Sequence, residues 1–206
     1  MNNLKIFDIT PGQTEEAADV LAQAFEDYPM MRYFFADHTR TYLDCVVGMF
    51  TLGCKVRHAL KSPLLGCELD ATLIGVAYAD LPSSPEIPEK LKEEFGPFLE
   101  LVGLAAQEKF DIYRALKEKY TPDADHVYLQ AIGVTPAAQG TGAGGALLDA
   151  LHKISEADST STGVALDTQN PKNVTLYEKY GYEVSGHEHM EEVPCWFMFR
   201  PNESKS

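Results

Sequence analysis

No apolar run in this 206-residue chain approaches the roughly 20 residues that a membrane-spanning helix needs. The opening Met1-Asn2-Asn3-Leu4-Lys5 lacks the cationic start, apolar stretch and small-residue cleavage site of a secretory signal. Together these absences predict a cytoplasmic protein without membrane association. Cysteine is sparse. Cys45, Cys54, Cys67 and Cys195 lie far apart, with no C-x-x-C pair and no Cys/His spacing suited to zinc. They read as reduced thiols in or near a core, and no metal is expected. The sequons at Asn173 and Asn202 are then expected to stay unmodified. Basic residues are the scarce charge, 17 against 31 acidic ones, for a net charge of −14. Such a field repels nucleic acid and anionic lipid and attracts cations, so a small amine is the better-suited partner.

Apolar residues make up 45% of the chain, enough for a core, and the length suits one domain over 1–206. Residues 4–9 alternate as a strand, and Thr10-Pro11-Gly12-Gln13 reads as a capping box opening a helix with Ala17, Leu21, Ala24 and Phe25 on one face. Pro29 is expected to end that helix. A second helix is expected over about 39–54, with Leu43, Val46, Val47 and Phe50 inward. Residues 64–68 and 73–78 read as a strand pair around a turn at 69–72. The proline-rich 81–88 is a connection. Residues 89–95 and 96–120 read as helical, interrupted at Gly96-Pro97. The last third alternates more clearly: strand 127–134, helix 142–157, strand 163–167, helix 172–180 stopped by Gly181, and strands 182–184 and 195–199. The order is mixed α/β, strands flanked by helices on both sides. His187 and His189 flank Glu188 on a stretch that reads as a surface strand, not a metal site.

Gln139-Gly-Thr-Gly-Ala-Gly-Gly145 lies between an apolar strand and a helix. A helix N-terminus leaves N–H groups unpaired with a positive partial charge, and glycines let backbone approach phosphate oxygens closely. The loop therefore reads as a phosphate cradle. Gly140 to Gly145 also satisfies G-x-G-x-x-G, but its context is wrong for a dinucleotide fold. Five residues separate strand from first glycine, the motif comes late, and the acidic residue about 20 positions on, Asp158, falls at a helix end. A nucleotide P-loop fails too, because no Lys-Ser/Thr follows.

The run Thr135-Pro-Ala-Ala-Gln-Gly-Thr-Gly-Ala-Gly144 resembles the Q/R-x-x-G-x-G/A signature of the GCN5-related N-acetyltransferase (GNAT) superfamily, filled by Gln139, Gly142 and Gly144. Downstream, Leu176-Tyr-Glu-Lys-Tyr-Gly-Tyr182 resembles that family's Leu-Tyr-x-x-x-Gly-Phe box, with Tyr182 in place of Phe. A closer resemblance is to the puromycin N-acetyltransferase-like branch, through Leu166-Asp-Thr-Gln-Asn-Pro-Lys-Asn-Val-Thr-Leu-Tyr177, Ala24-Phe-Glu-Asp-Tyr-Pro29 and Trp196-Phe-Met-Phe-Arg200. The likeness is strong over about 126–200, the cofactor-binding half, and absent over 81–120.

The resemblance implies a mixed, mostly antiparallel central sheet of six to seven strands flanked by helices, with the fourth and fifth strands splayed. It implies acetyl-CoA as acyl donor and direct transfer of acetyl to a primary or secondary amine of a small molecule or peptide. Backbone at Ile132 and Val134 would pair with pantetheine, and Gln139, Gly140, Thr141, Gly142 and Gly144 would meet the pyrophosphate. Asn173 would bond a pantetheine amide, and Tyr177 would protonate the departing thiolate. The loop departs from the family in having no Arg or Lys between Ala131 and His152. The base is less determined, since the fourth strand has no Glu. Glu26 is the favoured candidate, with Asp27, His126 and a water chain as alternatives. Tyr28, Met30, Met31, Tyr33, Phe34 and Phe35 form an aromatic cluster, either core or a wall of the acceptor pocket. A cationic or aromatic amine fits these features, monomer and homodimer fit equally, and a non-catalytic acyl-CoA-binding module is the rival reading.

Overall fold

The computed structural model describes residues 3–38 and 41–203. Seven strands form one sheet: β1 (Leu4–Asp8), β2 (Leu64–Leu69), β3 (Thr72–Asp80), β4 (Val127–Val134), β5 (Gly163–Thr168), β6 (Glu183–Met190) and β7 (Val193–Pro201), in spatial order β1-β2-β3-β4-β5-β7-β6. Every pairing is antiparallel except β4 with β5. That parallel ladder is short. Val127, Tyr128 and Leu129 pair with Val164, Ala165 and Leu166, and no pairing follows, although β4 runs on to Val134. The expected splay of the fourth and fifth strands is this divergence.

The helices are α1 (Thr14–Phe25), α2 (Pro29–Phe34), α3 (Tyr42–Leu60), α4 (Glu89–Tyr120), α5 (Ala143–Ala157) and α6 (Pro171–Glu178). Alternation along β3 divides the core between the two faces of the sheet. Val76 and Tyr78 join Leu21, Phe34 and Phe50 beneath α1–α3, whereas Ala77 and Ala79 join Leu147 and Leu151 beneath α5. All four cysteines are buried and free, as expected.

Several expectations need correction. Pro29 does not stop the first helix, which ends at Phe25; it occupies the first position of α2, where its missing N–H costs nothing. Tyr28 before it is extended (φ −70°, ψ 135°), the conformation proline imposes on its predecessor. The next helix runs past Cys54 to Leu60, and its expected start at Thr39 lies outside the described residues. Leu43 is 52% exposed because Tyr42, Val46, Phe50 and Cys54, spaced by four, form the inward stripe. Thr10 and Gln13 do meet at the first turn, the Thr10 N–H and hydroxyl both donating to Gln13 Oε1 at 3.1 and 2.9 Å.

α4 is interrupted at Gly103, not at Gly96-Pro97. Gly103 has φ 71° and ψ 176°, which glycine alone adopts readily. The break frees carbonyls that side chains then satisfy: His38 Nε2 donates to the Val102 carbonyl (2.7 Å) and Gln107 Nε2 to that of Leu99 (3.0 Å). The last two strands are longer than their apolar residues suggested. β6 is largely polar, and its pairing with apolar β7 extends it. His187 and His189 lie on β6, with His187 stacked on Trp196 at 4.7 Å; no metal-holding cluster occurs among the described residues.

Candidate active site

Where β4 and β5 part, a cleft of about 690 Å³ opens. One end is bounded by β4, the glycine loop and α6. The Thr135 N–H donates to the Ile74 carbonyl across β3 (2.9 Å), so alternation turns the backbone of Val134 and Ile132 the other way, toward the wedge. Beyond β4 the loop turns through Gly140 (φ 81°) and Gly142 (φ 93°) into the N-terminus of α5. A Cβ on Gly140 would meet no atom within 4 Å, so the loop presents open backbone. Gly145 is required for another reason: a Cβ there would stand 2.3 Å from the Tyr180 hydroxyl.

Ile132, Val134, Gln139, Gly144, Asn173 and Tyr177 line this one cleft, although they span more than forty positions of sequence. Gly140, Thr141 and Gly142 lie on the loop at the head of α5, not on the cleft wall. An extended pantetheine-like amide chain fits the unpaired edge of β4, and an anionic pyrophosphate fits the exposed N–H groups at the start of α5. The residues present therefore suit acetyl-CoA, with a helix terminus supplying what a basic loop would otherwise supply.

Thr168 Oγ1 organises the α6 side. It shares a hydrogen bond with the Tyr28 hydroxyl (2.8 Å) and accepts from Asn173 Nδ2 (3.3 Å), while the Gln169 N–H donates to the Tyr28 oxygen (3.0 Å). Burial raises the Tyr28 phenol to about 12. The Asn170 side chain caps α6 by accepting from the Lys172 N–H (3.0 Å). Tyr177 is 8% exposed, and burial raises its phenol well above the ordinary range, with nearby Tyr28 and Asp167 adding to the effect. Leu176 is 47% exposed at the cleft.

The other end of the cleft is lined by α2, α3, the 81–88 connection and α4. Phe25, Tyr28, Met30, Met31 and Phe50 meet Phe95 and Phe98 there. The expected aromatic cluster is thus divided: Tyr28, Met30 and Met31 face the cleft, while Tyr33, Phe34 and Phe35 are core. Two carboxylates face the same space. Asp80 accepts from Arg57 Nη2 (2.6 Å) and Gln130 Nε2 (2.6 Å). Asp167 accepts at Oδ1 from Tyr113 (2.8 Å) and Tyr128 (2.6 Å), and at Oδ2 from Gln169 Nε2 (2.8 Å). Neither was singled out from sequence. The signal was present, since each is the first charge ending an apolar strand.

Glu26 is not brought into this group. It caps the end of α1, exposed, outside the residues lining the cleft. Asp27 is paired with Arg32 on the surface. His126 is also outside the lining, its Nδ1 engaged with the Ala124 carbonyl (2.6 Å).

Behind Tyr177 stands Tyr182, ring centroids 5.6 Å apart, and Tyr182 bonds His152 Nε2 at 2.9 Å. Burial, with Arg200 nearby, lowers His152 to about 4, so the ring is neutral and shares this hydrogen bond with the phenol. The unfolded chain takes up this proton first, near its ordinary pKa of about 6.5. The stabilisation is therefore complete above that pH and is lost as pH falls toward 4. Urea unfolding should show a midpoint that drops from pH 7 to pH 5, with a shallower drop in His152→Gln. Equal slopes would assign the effect to other groups, such as His58, which burial also lowers.

Residues 100–184 match the acetyltransferase (GNAT) domain family. Solved structures share the whole fold at low identity. A structure described as histone acetyltransferase HPA2 and related acetyltransferase, from Corynebacterium glutamicum, is 20% identical with a TM-score of 0.74, covering 100% of this chain and 99% of that one. yncA of Salmonella typhimurium, solved with its cofactor acetyl-CoA, is 16% identical with a TM-score of 0.57, covering 100% and 98%. The ribosomal-protein-S18-alanine N-acetyltransferase of Escherichia coli is 13% identical with a TM-score of 0.55, covering 98% and 96%. No helix among the described residues is long and apolar enough to cross a membrane.

Proposed function

We propose that this chain, whose residues 100–184 match the acetyltransferase (GNAT) domain family, is an acetyl-CoA-using acyltransferase that transfers acetyl directly to a primary or secondary amine of a small, cationic and partly aromatic molecule. The observation that carries this reading is the continuity of the cleft. A single space joins the β4 edge and glycine loop to a chamber with aromatic walls and two carboxylates. Apolar walls with a few convergent polar groups are the usual form of a small-molecule site. The carboxylates and the net charge of −14 favour an ammonium over an anion. The likeness to the puromycin N-acetyltransferase-like branch agrees with a hydrophobic amine.

Bound in the wedge, acetyl-CoA would supply a thioester carbonyl to the attacking nitrogen. Ile132 and Val134 would orient the donor through their backbone, and the Gln139–Gly144 loop would hold its phosphates. Asn173, tethered by Thr168, would bond an amide of the same chain. Tyr177 would deliver a proton to the leaving sulfur. Its raised phenol carries that proton at every pH at which the enzyme works, and the same burial raises the basicity of a thiolate beside it. Glu26 stays a candidate base, reached through water from the exposed end of α1.

Calorimetric titration with acetyl-CoA, with NADH in parallel, followed by thiol release across an amine panel, tests this reading. Micromolar acetyl-CoA binding, no NADH binding and turnover with aromatic amines are expected. Turnover confined to peptide N-termini or protein lysines would reject the small-molecule assignment.

A further inference from the structure

We propose that Asp167 receives the acceptor's ammonium and takes its first proton, and that Tyr113 is the positioning residue through which α4 aims that carboxylate. The inference rests on the amine-acetylation reading above and gives it a base and an acceptor anchor.

The lone pairs decide between the two carboxylates of the chamber. Asp80 is neutralised by Arg57, whose guanidinium also lies over the Tyr78 ring at 4.7 Å, and its second oxygen accepts from Gln130. Among the described residues, Asp167 faces no cation at hydrogen-bond distance. Of about four acceptor positions on a carboxylate, the two on Oδ1 are filled by Tyr113 and Tyr128 and one on Oδ2 by Gln169. The fourth meets only the Cys195 thiol at 4.0 Å, a contact weak enough for an ammonium to displace. The open position thus belongs to the carboxylate that makes no ion pair among the described residues, Lys117 acting on it only from beyond hydrogen-bond distance. Asp167 also sits where β5 leaves β4, two residues from the Gln169 N–H that holds Tyr28 and close enough to Tyr177 to raise its phenol. The acceptor's anchor and the proposed acid therefore stand on the same stretch of chain.

The proton count closes. A primary ammonium loses two protons on becoming an amide. Asp167 accepts the first and releases it to water. The nitrogen then forms the C–N bond to the acetyl carbonyl, the C–S bond breaks, and the sulfur takes the Tyr177 proton. The second nitrogen proton restores Tyr177.

The groups that face Asp167 are Tyr28, Tyr113, Tyr128, Tyr177, Cys195 and Lys117. Burial raises the four phenols and the thiol, so none ionises in the working range. Lys117, over the Tyr128 ring at 3.5 Å and lowered to about 8 by burial, does titrate there and needs its own control.

The test uses the full chain with acetyl-CoA and two probe acceptors, 2-phenylethylamine and tyramine, followed by thiol release from pH 6 to 10. Asp167→Asn should lower kcat/KM for the amine about 100-fold at pH 7 and leave the acetyl-CoA KM within about threefold, since no cofactor contact changes. Its rate should then climb with pH along the ionisation of the amine itself, so that the deficit shrinks toward pH 10. Tyr113→Phe, which removes one donor of three, should lose about tenfold or less and shift the acidic limb without abolishing it. Lys117→Met should keep that limb. A loss in Asp167→Asn that is uniform across pH, or that raises the acetyl-CoA KM equally, would show a structural role and overturn the assignment. So would the limb vanishing in Glu26→Gln or Lys117→Met instead. Wild type that binds acetyl-CoA but acetylates neither probe sinks the aromatic-amine reading itself, and the Asp167 assignment with it.

Discussion

Tyr177→Phe should lower kcat by about 10²- to 10³-fold, within the range of a lost general acid, while acetyl-CoA binds within about threefold of wild type. The ring stays, so packing against Tyr182 is kept and only the hydroxyl disappears. Among the described residues no hydrogen bond holds that hydroxyl, so its removal leaves no partner unsatisfied. Stability should therefore change little, and the loss should appear in the chemical step. Single-turnover kinetics with calorimetry for the donor separate the two quantities. A donor thioester with a more acidic thiol, which needs less protonation on departure, should recover part of the rate in the variant. Unchanged kcat would remove Tyr177 from the chemistry and leave it a packing residue.

Gly142→Val should weaken acetyl-CoA binding by about 10- to 100-fold, the equivalent of one charge-assisted hydrogen bond. Gly142 stands at φ 93° as the residue before α5, a conformation that a β-branched side chain resists. The nearest atom to a new Cβ would be Leu4 Cδ1 at 3.8 Å, so strain in the backbone, not a clash, moves the loop. Because the loop is proposed to hold the phosphates alone, S-acetylpantetheine, which lacks the pyrophosphate, should serve wild type and variant equally. A matching loss with both donors would mean that the loop shapes the wedge instead of holding phosphate.

The two ends of the cleft differed in how far they could be read beforehand. The donor end is made of consecutive pieces, strand β4, the glycine loop and the start of α5, followed by α6. The chemistry proposed for it depends on backbone N–H groups and on spacing within each piece, so Gln139, Gly144, Asn173 and Tyr177 could be named from local sequence and are found together. The acceptor end is built from α2, α3, the 81–88 connection, α4 and β5, whose segments are up to about 140 residues apart. Glu26 was favoured because of its neighbours Phe25 and Tyr28, which do line the cleft; the helix turns Glu26 itself outward. Local pattern cannot report that rotation when the residue falls at a helix end.

By itself the sequence determined the α/β order, the position of the glycine-rich turn at the head of α5 and the motif Leu176 to Tyr182, because these follow from periodicity, glycine and capping within a few residues. Tertiary structure alone decided where the break in α4 falls, how far β6 extends and which carboxylates face the chamber. Gly103 could open the helix because His38 and Gln107 take up the freed carbonyls. β6 extends because apolar β7 pairs with it. Asp80 found Arg57, and Asp167 found two phenols and an amide but, among the described residues, no cation within hydrogen-bond distance. The electrostatic character of a buried charge is set by the partners that the fold brings within about 3 Å, and those partners come from elements distant in the chain.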